Sequence, residues 1–342
     1  MIVVMQLGAS QGQIDTVCEV IRRHGAEPLV MPGEDRLAIG VPAALSQDQR
    51  VSLETALGLV EGVSKVTQTS SPYKLASREF YPESTQVTVK GVQIGSDTFV
   101  VMGGPCSVES YEQFRASADM VKSAGAHILR GGAFKPRTSP YSFQGLQQEG
   151  LKIIKQVSEE TGLPTISEVM SADMVESVAA HVDILQIGAR SMQNFPLLIE
   201  AGKSMAPVFL KRGPSATVDE FLLAAEYVLS QGNPNVILCE RGLMAFDRAY
   251  TRNILDLAVV PVLQESSHLP VVVDPSHGTG VARYVAPMAK AALVAGADGI
   301  MVETHPDPKA ALSDGSQALD PTQFAALLAD LRRIAPVVGK RL

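Results

Sequence analysis

The chain has 342 residues, 46% hydrophobic and 19% charged, a composition that fits a barrel-sized globular domain plus a small one and excludes a disordered chain. A net charge of −7 argues against nucleic-acid binding, and no run of eighteen apolar residues is present to span a membrane. Three cysteines and an N-terminus without a basic, cleavable leader predict a reducing, cytoplasmic setting.

Residues 1–70 predict a β-α-β-β-α-β unit. IVVMQL reads as a strand, and the capping-box sequence SQGQ opens a helix with Ile14, Val17, Cys18 and Ile21 on one face. PLVMPG and RLAIGV flank a polar turn, as hairpin strands do. A second capping box, SQDQ at 46–49, opens a helix carrying Leu53 and Leu57, and VEGVSKVTQT closes the unit. The order is that of a ferredoxin-like sandwich, with Cys18 in its core. Residues 71–85 contain prolines and no clean period, and are expected to be a linker.

From 86 to 342 the pattern changes. QVTVKGVQIG alternates like a short hairpin, and then apolar runs alternate with amphipathic helical stretches. The runs are FVVMGG, HILRGG, PTISEV, ILQIGA, VFLKRG, VILCERG, PVVVDPSH and GIMVETH. Eight strand–helix units of this total length predict a closed (β/α)8 TIM barrel. A doubly wound open sheet is the alternative, weakened because no GxGxxG follows the first strand.

Functional side chains of such a barrel sit where its strands end at their C-terminal side. Strand one ends at Cys106, strand two at Arg130, strand three at Glu168 and strand four at Arg190. Strand five ends at Lys211 and Arg212, strand six at Glu240 and Arg241, strand seven at Asp274 and His277. Strand eight ends at Glu303 and His305, with Asp314 in the loop beyond. Six cations, Arg130, Lys135, Arg137, Arg190, Lys211 and Arg241, therefore converge on one mouth of an acidic protein. Gathering them without anions is costly, so a strongly anionic ligand is expected, with the arginines suited to phosphate and carboxylate.

The second group is Cys106, His277, Glu303 and Asp314. Strands one and eight are neighbours in a closed barrel, and a mixed sulfur, nitrogen and oxygen set suits Mn, Fe, Co or Zn as a divalent ion. A Cys106 nucleophile with His277 as base is the competing reading; it leaves the two carboxylates without a task. Cys239, inside strand six, is expected in the core; His127, His181 and His268 fall on the opposite side of the strands. His305 stands close enough to Glu303 to support it or to be an idle loop residue.

GPCSVES, LRGGAFKPRTSPYSFQG, QIGARSMQNF, LKRG, CERG, DPSHGTG and VETHPDP, in this order, resemble the 3-deoxy-D-arabino-heptulosonate 7-phosphate (DAHP) synthase family, type I beta branch. The first 70 residues resemble the regulatory ferredoxin-like extension of part of that branch. The resemblance implies condensation of phosphoenolpyruvate with erythrose 4-phosphate, the entry to the shikimate pathway. It implies metal ligation by Cys106, His277, Glu303 and Asp314. Arg130 and Lys135 are implied near the phosphoenolpyruvate carboxylate, and Arg190, Lys211 and Arg241 around its phosphate. Arg137 and Thr138 are implied at the sugar phosphate. Lys135 and His277 are the candidate catalytic groups, and Glu168 is a candidate to position water. Tyrosine or phenylalanine is the expected effector, in a homodimer or homotetramer. The rivals are 3-deoxy-D-manno-octulosonate 8-phosphate synthase, with a five-carbon aldose phosphate, and a non-catalytic aromatic amino-acid sensor.

Overall fold

The computed structural model describes residues 1–31, 37–43, 45–68, 71–135 and 141–342. It divides into two units, 1–83 and 84–342. In the first, strands β1 (Ile2–Met5), β2 (Leu29–Met31), β3 (Ala38–Gly40) and β4 (Val63–Thr67) form one antiparallel sheet in the order β2-β3-β1-β4. Helices α1 (Gln11–Arg23) and α2 (Gln47–Gly58) start at Ser10 and Ser46, each with the reciprocal capping box that its sequence predicts. Ile14, Val17, Cys18 and Ile21 of α1 and Leu53 and Leu57 of α2 are buried in one cluster with Val3, Met5 and Ile39. This is the interleaved pair of βαβ units of the ferredoxin-like sandwich. Residues 71–83, expected as linker, divide with this unit. Ala76 and Phe80 are fully buried, and a Cβ at Gly40 would lie 2.6 Å from the Phe80 ring.

The second unit opens with the hairpin β5 (Val87–Val89) and β6 (Val92–Ile94), turned by Lys90 and Gly91 at positive φ. Eight parallel strands follow: β7 (Val100–Gly104), β8 (Ile128–Arg130), β9 (Thr165–Val169), β10 (Ile184–Ile187), β11 (Val208–Lys211), β12 (Val236–Glu240), β15 (Val271–Val273) and β16 (Gly299–Glu303). They pair in chain order, and β16 pairs back on β7, so the barrel is closed. Each of the eight predicted apolar runs supplies one barrel strand. Between β12 and β15 lies a small hairpin, β13 (Leu243–Met244) and β14 (Asn253–Ile254), which the apolar pattern did not signal.

Strand side chains alternate between the barrel interior and the helical layer. The lower interior is apolar: Val100, Met102, Ile128, Ile166, Ile184, Phe209, Ile237, Cys239, Val272 and Met301 form one buried cluster. Val87, Val89 and Ile94 of the β5–β6 hairpin plug its lower end. Two residues further along the same inward columns the chemistry changes. Ile128 is followed by Arg130, Ile166 by Glu168, Ile184 by Gln186, Phe209 by Lys211, Cys239 by Arg241, Val272 by Asp274 and Met301 by Glu303. The period of two thus stacks a charged layer on a greasy plug.

Gly104, last in β7, opens the path to Cys106. Its φ is +146°, and a Cβ there would sit 2.1 Å from the Arg130 carbonyl oxygen. Gly104→Ala combines a left-handed strain with backbone overlap, at a cost of roughly 2–6 kcal/mol. A marked fall in the thermal unfolding midpoint is expected; an unchanged midpoint rules out this account of the close approach.

Candidate functional site

The charged layer is wired as a buried chain across four strands. Arg130 Nη1 donates to Glu303 Oε1 at 2.6 Å, and the His277 ring presents Nε2 to the same oxygen at 3.3 Å. His277 Nδ1 lies 2.6 Å from Asp274 Oδ2, which also pairs with Lys211. Asp274 does double duty, because its Oδ1 accepts the His277 backbone N–H and caps the short helix Pro275–Thr279. Burial alone opposes charge on both carboxylates. Against it, His277, Arg130 and Lys135 hold the Glu303 carboxyl at about 2. His277 and Lys211 likewise hold Asp274 well below the usual carboxylate range.

Burial lowers the His277 pKa despite its two carboxylate neighbours. Its two ring nitrogens thus face one carboxylate each, Nδ1 toward Asp274 and Nε2 toward Glu303.

Cys106 lies two residues beyond β7 and is 4% exposed. Its thiol donates to Asp314 Oδ2 at 3.0 Å. Burial, then the Glu303 charge, push the thiol up to about 12, so it becomes a thiolate only where a cation replaces its proton. The ligand atoms of Cys106, Glu303 and Asp314 all lie within 4.8 Å of one another. His277 stands outside this trio and reaches it through Glu303. The thiol faces Asp314, and the ring faces Asp274 and Glu303, so no Cys106–His277 nucleophile–base pair is formed among the described residues. The residues beside two of the trio clip their loops together. Ser107 Oγ and Ser313 Oγ are 2.6 Å apart and both buried, and Glu109 Oε1 accepts the Leu312 N–H at 2.9 Å. Asp314 itself is left-handed, with φ +50°, which aspartate tolerates better than most residues.

Above this layer is a cavity of about 310 Å³. Arg130, Lys135, Arg190, Lys211 and Arg241 line it, as do Glu168, Gln186, His277 and Asp314. Arg137 and Thr138 lie outside the described residues. The cations are not equivalent. Arg130 and Lys211 are buried and matched by Glu303 and Asp274. Lys135 is half-buried, with Nζ 3.0 Å from the Cys106 carbonyl oxygen. Burial lowers the Arg241 pKa and the Arg252 charge adds to it, opposing the pull of Asp274. Cations that raise one another's energy in a concave site favour an anion.

Two lining arginines, Arg248 and Arg252, were not among the predicted cations. They ride on the β13–β14 hairpin, in the loop after strand six; the run FDRAYTRN at that rim is the signal that held them. Glu168 lies across Gly188, where a Cβ would be 2.0 Å from its Oε1, and accepts from Gln186 Nε2 at 3.4 Å. Arg212 and Glu240, the outward partners of Lys211 and Arg241, pair at 3.0 Å below the mouth, and Arg212 also reaches Asp256 at 3.0 Å. Cys239 is fully buried in the barrel plug, and Cys18 in the small unit's core. His305 is buried, with Nδ1 accepting the Asp307 N–H at 3.0 Å and Nε2 3.6 Å from Glu109. No described helix is long and apolar enough to cross a membrane.

Comparison with known proteins agrees with this architecture over its whole length. Residues 80–335 match the DAHP synthetase I family, and residues 1–68 match the DAHP synthase ferredoxin-like domain. The chain is 42% identical over 342 residues to the phospho-2-dehydro-3-deoxyheptonate aldolase of Thermotoga maritima, covering 100% of both. The crystal structure of phospho-2-dehydro-3-deoxyheptonate aldolase (DAHP synthase) from Thermotoga maritima superposes with a TM-score of 0.79 at 41% identity, over 99% of this chain and 98% of that one. The truncated form of 3-deoxy-D-arabino-heptulosonate 7-phosphate synthase from Thermotoga maritima gives 0.73 at 43% identity, over 78% of this chain and 98% of that one. The 2-dehydro-3-deoxyphosphooctonate aldolase of Syntrophobacter fumaroxidans is more distant: 34% identical over 268 residues, covering 73% of this chain and 92% of that protein. The chain belongs to the DAHP synthetase I family.

Proposed function

We propose that the protein condenses phosphoenolpyruvate with erythrose 4-phosphate to give DAHP and inorganic phosphate, at the cation-lined cavity and with a divalent metal ion. The observation that carries the reading is the sulfur–oxygen trio of Cys106, Glu303 and Asp314, which reaches that cavity through Asp314. Full-length likeness to the Thermotoga maritima aldolase supports the four-carbon aldehyde over the five-carbon one. Cys106, His277, Glu303 and Asp314 are the proposed ligands, a donor set that fits Mn, Fe, Co or Zn. The ion supplies a Lewis acid for the aldehyde oxygen.

The protein's own groups do the rest. Arg190, Lys211 and Arg241 hold the phosphoenolpyruvate phosphate, Arg130 and Lys135 its carboxylate, and Arg137 and Thr138 the sugar phosphate. C3 of the enol ester attacks the aldehyde carbon, and Lys135 donates the proton that the new alkoxide needs. Glu168, steadied by Gln186, orients a water toward C2. The water's oxygen bonds to C2 as one of its protons returns to the Lys135 amine; the C2–O bond to phosphate then breaks, and the remaining hydroxyl proton leaves with the phosphate as C2 becomes the ketone. Asp274 fixes the His277 tautomer, as a carboxylate behind a ligating imidazole does. The setting proposed is cytoplasmic. Residues 1–70 serve as a regulatory unit, binding tyrosine or phenylalanine where two copies meet in a homodimer or homotetramer. An appended unit that holds none of the proposed cavity residues supports that role.

Phosphate release from phosphoenolpyruvate is expected with erythrose 4-phosphate and not with arabinose 5-phosphate. Chelation should abolish it, and Mn²⁺ or Co²⁺ restore it. Cys106→Ser should lose most activity through weaker binding of softer ions; near-full turnover of that variant would falsify the ligand assignment.

Arg241→Ala should raise the KM for phosphoenolpyruvate by about 10–100-fold, the loss of one charge-assisted phosphate contact. Arg137→Ala should act on the erythrose 4-phosphate KM instead. Initial-rate measurements with both substrates varied decide it, and equal effects of Arg137→Ala on the two KM values contradict the partition.

A chain starting at Thr85 should keep its turnover and lose inhibition by the aromatic amino acids, through a coupling of about 1–3 kcal/mol. Inhibition of the shortened chain equal to that of the full one, or none of the full one by any of them, excludes the regulatory role.

A further inference from the structure

Gln317 is a buried polar residue that neither substrate nor metal claims. It ends the short turn Gly315–Gln317, directly after Asp314, and is 2% exposed. Its Nε2 donates to Glu303 Oε2 at 2.6 Å. The other Glu303 oxygen is already taken by Arg130 and His277. Both oxygens of that carboxylate are therefore held, and the plane of the group is set from two sides. A neutral amide does this without adding a positive charge that would compete with a cation.

Across the same amide, Gln317 Oε1 accepts from Arg252 Nη1 at 3.4 Å, and that guanidinium lies 4.0 Å from Asp314 Oδ1. The amide is asymmetric. With a carboxylate on one side and a guanidinium on the other, only one orientation pairs donor with acceptor at both ends; its flip sets oxygen against oxygen at Glu303. Arg252 is itself fixed at its backbone, since its N–H donates to the Thr279 carbonyl at 2.8 Å. The neighbouring Asn253 Nδ2 donates to the His277 carbonyl at 2.9 Å. The hairpin foot is thus tied to the helix that carries His277.

We propose that Gln317 is a positioning residue that fixes the Glu303 carboxylate for cation binding, and that Arg252 holds Gln317 in the orientation this requires. The proposal rests on the reading of Cys106, Glu303 and Asp314 as ligands of a divalent ion. It gives Arg252 a task distinct from phosphate binding, although the residue lines the cavity.

The test is Mn²⁺ binding to the full chain after chelator treatment, followed by calorimetry and by the electron paramagnetic resonance of free Mn²⁺. Gln317→Met, nearly the same size, should bind Mn²⁺ about 10–100-fold more weakly, the range for losing a support behind a metal ligand. Arg252→Gln separates positioning from charge. Coulomb's law alone predicts tighter Mn²⁺ binding when a nearby positive charge is removed; positioning predicts weaker binding. Phosphoenolpyruvate binding to the metal-free Gln317→Met protein should match wild type.

If wild type binds no Mn²⁺, the ligand assignment falls and the proposal with it. If wild type binds and Gln317→Met binds within threefold of it, the positioning role alone is overturned. Tighter binding by Arg252→Gln overturns the part given to Arg252. Loss of metal-free phosphoenolpyruvate binding in Gln317→Met reduces Gln317 to general support of the cavity and overturns its specific role.

Discussion

The buried chain Arg130–Glu303–His277–Asp274–Lys211 is the constraint on which the rest of the site depends. Each charge in it lies in the interior of a closed barrel, where an unpaired ion costs several kcal/mol and removal of one partner typically costs about 3–5 kcal/mol. The chain therefore holds together as a unit. It fixes five side chains from four strand ends, and three of them, Arg130, Lys211 and His277, line the cavity. The ordering of charge, cation at both ends and carboxylates inward, keeps Glu303 and Asp274 ionised in spite of their burial.

What lies above and below follows from that layer. Below it, the inward columns are filled by Ile, Val, Phe and Met and closed by the β5–β6 hairpin, so water is excluded from beneath and the charged layer rests on a dry support. Above it, Lys135, Arg190, Arg241, Arg248 and Arg252 stand at graded exposure around one cavity. The inner cations are matched by carboxylates of the protein, whereas the rim gathers positive charge on an acidic molecule. A concave rim of like charges attracts anions.

The trio Cys106, Glu303 and Asp314 is assembled by loops more than by strands. Glu303 ends β16, but Cys106 and Asp314 sit beyond strand ends. Their separation is controlled by Ser107 and Ser313, Glu109 and the Leu312 amide. The left-handed backbone of Asp314 and the positive φ of Gly104 lie at the two approaches to the trio. Both ordinary strand geometry and unusual backbone are needed, the first for rigidity and the second to turn side chains inward.

Much of this was legible in the residues. The capping boxes at Ser10 and Ser46, the eight apolar runs and the change from apolar to charged at the strand ends are local or periodic features, and folding preserves local features. Barrel geometry then places strand ends on one face, so Cys106, Arg130, Lys211, Glu303 and Asp314 are assigned together from a count. The sequence could not say which cations are already neutralised, because the Arg130–Glu303 and Lys211–Asp274 pairs join residues 173 and 63 positions apart. Nor did it single out the hairpin that brings Arg248 and Arg252 to the cavity, or the attachment of residues 71–83 to the small unit through Phe80 and Gly40. Period and composition along the chain determined which residues face inward and at what height. Distances across the barrel, which decide ion pairing, His277's partners and the grip of Gln317 on Glu303, were decided only when eight strands closed on one another.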